Sequence, residues 1–380
     1  MYSNSSNFRE RIMATYTKKR ANKIVWQPRI EHWYDVRKVK GTLPEKYKNK
    51  GVLEIYDDLS ASVRYYYGST TDISSPKTYI KFEHTEGVKV REVRKNNDIH
   101  LTYETPIGQL RGKKRLGEWG TSWHYVEHPV KSISDLRILE CVVKNTKARF
   151  DYEFYKEAES KVGHRGVIQF YWERGPFQRL LLEYMGVENT IYAFQDYPER
   201  MREYLKTAEE AENQLYEVLA KCPVFSLNFG ENIDARFDPP KIFNEYLVPY
   251  YKKRVAQLHK VSKFCFIHMD GSLKPLLPYI NDAGFDGVEG ATPLPQGDIT
   301  LEELKEALGD TMLIDGIPML LFLPHYSYKE LEEYTIKVLN LFSPNLTLGI
   351  SDEISPPGDI EKVRFVSQIV ESFKVQNKQN

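Results

Sequence analysis

The sequence predicts an α/β fold: a (β/α)8 TIM barrel of eight parallel strands with an inserted antiparallel β-meander, residues 1–380 forming one domain and 78–115 the insertion. Three observations predict it. Short apolar runs alternate with segments of helical apolar spacing, the signature of βα units, whose strands must lie parallel. Eight such runs can be counted. Four of them end in His268-Met269-Asp270, Glu289, Asp315 and Asp352-Glu353, the place where a closed parallel barrel carries its chemistry.

Taken in order, Phe8 to Arg20 reads as a charged amphipathic helix and Lys23 to Trp26 as the first strand. The next stretch offers Arg29, a planar fork suited to a carboxylate, His32, able to move a proton, and Trp33, able to stack on a flat ligand. Gly51 to Ser62 is expected to be helical and Val63 to Tyr67 to be the second strand. Alternation replaces helical spacing from Thr78 to Arg115, with Asn96-Asn97-Asp98 as a turn, which gives the meander. After a helix at Ser134 to Thr146, the third strand, Val167 to Tyr171, runs into Trp172. Helices are expected from Phe177 to Tyr184 and from Tyr197 through Leu219, followed by the fourth strand, Val224 to Asn228, with Glu231 just beyond it. Asp238 before two prolines reads as a helix cap. Trp172, Asn228 and Glu231 thus stand with Arg29, His32 and Trp33 as candidate substrate-binding residues.

Phe264 to Ile267 is the fifth strand, Ser272 to Ala283 a helix stopped by Gly284, and Phe285 to Val288 the sixth strand. Thr300 with Glu303 and Ser327 with Glu330 form capping boxes that open two helices, around the seventh strand, Thr311 to Ile314. Leu346 to Ile350 is the eighth. His268, Asp270 and Asp352 are the candidate catalytic residues. Together with Glu289 they form an imidazole and carboxylate set able to hold a divalent metal. A structural His–Asp pair is the competing explanation for any one of them.

Composition bounds the rest. A hydrophobic content of 41% with 28% charged residues is that of a globular protein with ample core, and no run of about 20 apolar residues would span a membrane. The first twenty residues lack a signal-peptide apolar segment, so the cytoplasm is the expected location. Cys141, Cys222 and Cys265 are odd in number and far apart, which indicates neither a disulfide framework nor a cysteine zinc knot; Cys265 is assigned to packing. Residues 1–50 hold 13 Lys/Arg against 4 Asp/Glu, dispersed rather than massed, and no nucleic-acid partner is expected. Residues 264–360 hold 16 Asp/Glu, 4 Lys and no Arg, which favours a cation or metal and counts against a polyanionic substrate there.

Over its last third the chain resembles the uroporphyrinogen decarboxylase superfamily, which also holds methyltransferases that work with cobalamin-bearing proteins. The residues that carry this are His268-x-Asp270-Gly271, AGFDGVEGATPLPQGDITLEELKEALGD, IDGIP and GISDEISPPGDIEKVRFV; RANKIVWQPRIEHW resembles the first strand and substrate loop, and EHPVKSISDL the methyltransferase-like branch. The zinc-dependent methyltransferases of that superfamily use His-x-Cys and a later Cys, where this chain has His268-Met269-Asp270 and Asp352. Its decarboxylases carry an arginine-rich N-terminal loop, of which Arg29 and Arg37 remain. The resemblance implies a methyltransferase acting on a small methylated substrate, with a corrinoid on a partner protein and a divalent metal such as zinc. The alternatives are a carboxy-lyase without cofactor and a non-catalytic ligand-binding barrel. A homodimer is expected from the likeness and from 26 Tyr and 18 Phe, some of which should sit at an interface.

Overall fold

The computed structural model describes residues 7–17, 23–65, 79–172 and 174–375, with the side chain of Trp172 excepted. They fall into two compact units, 1–77 with 153–172 and 224–380, and 78–152 with 173–223. The second is larger than the segment 78–115 that the sequence set apart.

The first unit is built on eight parallel strands, numbered here β1 (Val25–Trp26), β2 (Val63–Tyr65), β3 (Gly166–Trp172), β4 (Ser226–Ile233), β5 (Phe264–Met269), β6 (Gly287–Glu289), β7 (Met312–Pro318) and β8 (Leu346–Ser351). Their order in the sheet is β1-β8-β7-β6-β5-β4-β3-β2. The two edges meet, since Ser62 N–H donates to the Trp26 carbonyl and Gln27 Nε2 to the Val63 carbonyl, both at 2.9 Å. The sheet is therefore curled into a TIM-like barrel, with helices such as Val248–His259, Leu301–Leu308, Tyr328–Phe342 and Ile360–Ser372 in the same unit. Helix Phe8–Tyr16 closes the N-terminal end: Ile12 and Tyr16 pack on Val25, Val167, Phe264, Phe266, Met312 and Ile314, with the Tyr16 and Phe264 rings stacked 4.1 Å apart.

Both capping boxes form. Glu303 N–H donates to Thr300 Oγ1 at 3.1 Å and Thr300 N–H to Glu303 Oε2 at 2.8 Å, and Ser327 and Glu330 repeat the exchange at 3.1 and 2.7 Å. Other expectations need correction. Ser272 to Ala283 holds only a 3-10 turn, Lys274–Tyr279, because Pro275 and Pro278 remove donors that an α-helix needs. Tyr197 to Leu219 is two helices, Pro198–Ala211 and Asn213–Lys221. The helix starts at Pro240 with Pro239, not Asp238, in the cap position, and the Asp238 carboxylate accepts from Asp234 N–H at 3.4 Å. Strands β4 and β7 run on to Ile233 and Pro318, well past their expected ends, so Glu231 and Asp315 lie inside strands rather than after them. Tyr66 and Tyr67 lie outside the described residues.

In the second unit, strands Lys89–Lys95, Asp98–Thr105, Gly108–Leu116 and Trp123–Glu127 pair antiparallel in sequence order, the first two joined by a turn in which Asn96 takes a left-handed φ of +55°. Ile80–His84 pairs instead with Thr146–Phe150. Alternation in Asp98–Thr105 turns Ile99, Leu101 and Tyr103 onto a core shared with Leu136, Leu139, Leu180 and Tyr204. Among the described residues no helix is long and apolar enough to cross a membrane.

Candidate functional site

Side chains of a strand point alternately to its two faces, which gives the barrel interior two layers of different chemistry. Phe264 and Phe266 of β5, Met312 and Ile314 of β7 and Val25 of β1 fill the N-terminal layer. One step toward the C-terminal ends come Gln27, Arg64, Gln169, Asn228, His268, Glu289 and Asp315, all buried and polar or charged. Burying that many polar groups is tolerable only if they satisfy one another.

Arg64 of β2 is their hub. Its Nη1 donates to Glu289 Oε1 at 2.8 Å, its Nη2 lies 2.6 Å from Asp315 Oδ1, and it also reaches the Gln27 side-chain and backbone oxygens at 3.2 and 3.0 Å. Asp315 faces it because the β7 backbone kinks there to φ +90°, a left-handed value that costs a non-glycine residue roughly 1–3 kcal/mol. Opposite, Gly349 leaves the space: a Cβ at that position would overlap the Asp315 carboxylate.

Glu289 ends β6 with both oxygens doubly engaged. Oε1 accepts from Arg64 and, at 2.9 Å, from the Tyr65 hydroxyl; Oε2 accepts from Asn228 Nδ2 at 2.5 Å and meets His268 Nδ1 at 2.8 Å. Burial works against its charge, yet His268 and the Arg64 and Arg29 guanidinium groups hold the carboxyl well below the usual range. Burial likewise opposes a charged His268, but Asp352, the hydrogen bond to Glu289 and Asp270 push its pKa up to about 9. With Nδ1 turned to Glu289, His268 Nε2 is left facing Asp270, 4.0 Å from Oδ2. Gly290, at φ +80°, passes so close under the ring that a Cβ would lie 2.7 Å from His268 Cε1.

Beside this layer opens a cavity of about 340 Å³, walled by Asp270, Asp298, Asp352 and Arg236 with the neutral polar Ser272, Thr292 and Gln296. Arg236 is bonded to Asp234 at 2.9 Å, and Asp298 accepts from Ser272 Oγ at 2.7 Å and Leu273 N–H at 2.9 Å. Burial pushes the Asp270 carboxyl above its ordinary value despite the nearby His268.

The candidate residues separate in space. His268, Glu289 and Asp352 bring ligand atoms within 4.8 Å of one another, and Asp270 shares the cavity wall with Asp352. Arg29 pairs with Asp352, lies 3.7 Å from Glu353 and sits over the Tyr65 ring at 5.4 Å. Asn228 belongs to the Glu289 cluster, and Glu231 is buried where β4 slips register between Phe229 and Ile233. His32 is half-buried, with burial and then Arg29 lowering its pKa. Trp33 is buried, and its indole N–H donates to the Gly358 carbonyl at 3.1 Å, an anchor for helix Glu31–Val39. The Trp172 side chain lies outside the described residues. Sequence reasoning missed Arg64 and Tyr65; the available signal was an arginine inside the strand run Val63-Arg64-Tyr65, where a buried cation demands buried acids.

The donor set suits a divalent ion of the hard or borderline class, such as zinc held by nitrogen and oxygen. His268 and Asp352 are the groups placed to hold it, with Asp270 on the same wall of the cavity. Glu289, with every oxygen already engaged, is placed to orient the His268 ring, the part a carboxylate behind a metal-bound histidine plays.

A family model described as Uroporphyrinogen decarboxylase (URO-D) matches residues 125–373. No curated protein matches the chain. Among solved structures the chain is similar to a methyltransferase from Methanosarcina mazei, at 15% identity and a TM-score of 0.61, over 96% of this chain and 98% of that one. A weaker likeness, to a B12-independent methionine synthase from Shewanella sp. W3-18-1, has 10% identity and a TM-score of 0.46 over 87% and 90% of the two chains. The first of these is a likeness of fold.

Proposed function

This chain belongs to the uroporphyrinogen decarboxylase family, and from that premise we propose that it is a methyltransferase, moving a methyl group from a small methylated substrate to a corrinoid carried by a partner protein. The observation that supports methyl transfer over decarboxylation is the cavity wall, which sets three carboxylates against one arginine that is already bonded to Asp234. Such a wall repels a polycarboxylate substrate. At about 340 Å³ the cavity also stands near the small end of ligand pockets, which run from about 300 to 1,000 Å³.

In this reading the substrate's methylated oxygen lies at His268 Nε2, and the negative charge that grows on it as the methyl group departs is met by the imidazole held in place by Glu289. Were a divalent ion held by His268 and Asp352 instead, it and not the imidazole would meet that charge, as a Lewis acid. Asn228, Tyr65 and Arg64 keep Glu289 from turning away. A homodimer is the proposed assembly, and light scattering at micromolar concentration returning a monomer mass would exclude it.

The test is to mix the protein with methylated candidates and a reduced corrinoid protein and to follow the corrinoid absorbance, since only methyl transfer alkylates the cobalt. His268→Ala and Asp270→Ala should each lose about a hundredfold in rate, the scale of one lost electrostatic contact to a transition state. Cys265→Ser should retain activity. Carbon dioxide release from a carboxylated substrate, with no cobalt alkylation, would favour the carboxy-lyase instead.

A further inference from the structure

Residues at the opposite end of the barrel form a second cluster of metal-ligating side chains. His259 is the last residue of helix Val248–His259, Cys265 the second residue of β5, and Asp286 stands just before β6. The alternation that turns Phe264, Phe266 and His268 inward sends Cys265 to the outer face of β5, beneath that helix. One nitrogen, one sulfur and one carboxylate oxygen from the three residues lie within 4.8 Å of one another.

Two of the three donors are fixed by the sheet. Asp286 N–H donates to the Cys265 carbonyl at 2.7 Å, Cys265 N–H donates back to Asp286 Oδ2 at 2.8 Å, and Met312 N–H holds the Asp286 carbonyl at 3.0 Å. The third, His259 Nε2, is 2.9 Å from the same Asp286 oxygen. Access comes from the solvent side, since the side chains of His259 and Asp286 are 37% and 25% exposed while Cys265 is fully buried. A plain His–Asp hydrogen bond explains the contact between two of these groups but not the thiol that completes the set. Thiolate, imidazole and carboxylate with one open position is a donor set that selects zinc-like ions over calcium or magnesium.

We propose that His259, Cys265 and Asp286 form a binding site for a zinc-class divalent cation at the N-terminal end of the barrel strands, separate from the candidate active site. Binding releases the thiol proton to solvent, the imidazole proton resides on Nδ1, and Nε2, Sγ and a carboxylate oxygen face the ion, with water in the fourth position. Three residues along β5, about 10 Å, separate Cys265 from His268, so the two sites fill independently.

The thiol makes the site testable on its own, because the candidate active site contains no sulfur ligand. Reduced, chelator-treated full-length protein is titrated with cobalt(II), and the thiolate-to-cobalt charge-transfer band is followed in the near ultraviolet. One equivalent should develop the band in the unaltered protein and in His268→Ala, and zinc should abolish it. Cys265→Ser should remove it, His259→Ala should weaken cobalt binding at least tenfold, and Cys222→Ser should leave it in place. Circular dichroism checks each variant's fold, and Cys265→Ala serves if the serine variant is unstable. No charge-transfer band in the unaltered protein at millimolar cobalt would overturn the proposal. So would a band that persists in folded Cys265→Ser or Cys265→Ala.

Discussion

The Nη2 of Arg64 and the Oδ1 of Asp315 lie 2.6 Å apart, with neither side chain exposed to solvent. Arg64 spans two acids, Glu289 being the other, so its removal strands two buried charges rather than one. Arg64→Leu should lower unfolding free energy by about 3–5 kcal/mol, read as a drop in the denaturant midpoint. A loss below about 1 kcal/mol would mean that the acids find protons or water at little cost.

Gly290 separates catalytic geometry from stability. A methyl group there must push the His268 ring, and the φ of +80° adds backbone strain. Gly290→Ala should cut methyl-transfer rate by about a hundredfold, the usual penalty for misplacing a reacting group by about 1 Å. Should the rate survive while the protein stays folded, the imidazole is not where the reaction occurs.

Trp33 offers the converse. Its indole bonds the Gly358 carbonyl inside the first unit, so Trp33→Phe should cost about 1 kcal/mol in stability and leave the KM of the substrate unchanged. A large rise in KM with stability intact would restore the tryptophan to the substrate site.

Asp58 carries a pH dependence with a definite sign. Burial opposes its charge, but Tyr47 and Arg364, hydrogen-bonded at 2.6 Å each, hold its carboxyl below the ordinary value. A depressed folded-state pKa means stability present above about pH 4, the unfolded value, and lost as pH falls through the folded one. The side chain is a third exposed, so the amount is modest, about 1 kcal/mol or less. Unfolding curves of the unaltered protein and Asp58→Asn should differ at pH 6 and converge toward pH 3. Curves that stay parallel throughout would place the acid sensitivity elsewhere.

Much of the first unit was legible because β-strands and capped helices leave local marks. Thr300 and Ser327 announced their helices, and the apolar runs before His268, Glu289 and Asp352 announced strands. Boundaries were less legible where local pattern and tertiary context conflict. Asp315 read as a residue after a strand because its polar side chain interrupts an apolar run, yet the barrel accepts it within the strand by pairing it with Arg64. The pairings of Arg64 with Asp315 and with Glu289 join residues more than 200 positions apart, and no spacing rule connects them. The cluster of His259, Cys265 and Asp286 escaped notice for the same reason: each ligand sits on a different element, in no recurring interval.

Helix Phe8–Tyr16 stoppers the N-terminal end of the barrel, Tyr16 lying flat on Phe264. Among the described residues, the cavity walled by Asp270, Asp298 and Asp352 opens at the other end. In the proposed reaction, the methyl donor and the protein that carries the acceptor would share that entrance. On that proposal the small molecule would go in first and its demethylated remnant leave last, a compulsory order: the acceptor protein, added in excess before the donor, should slow turnover rather than speed it.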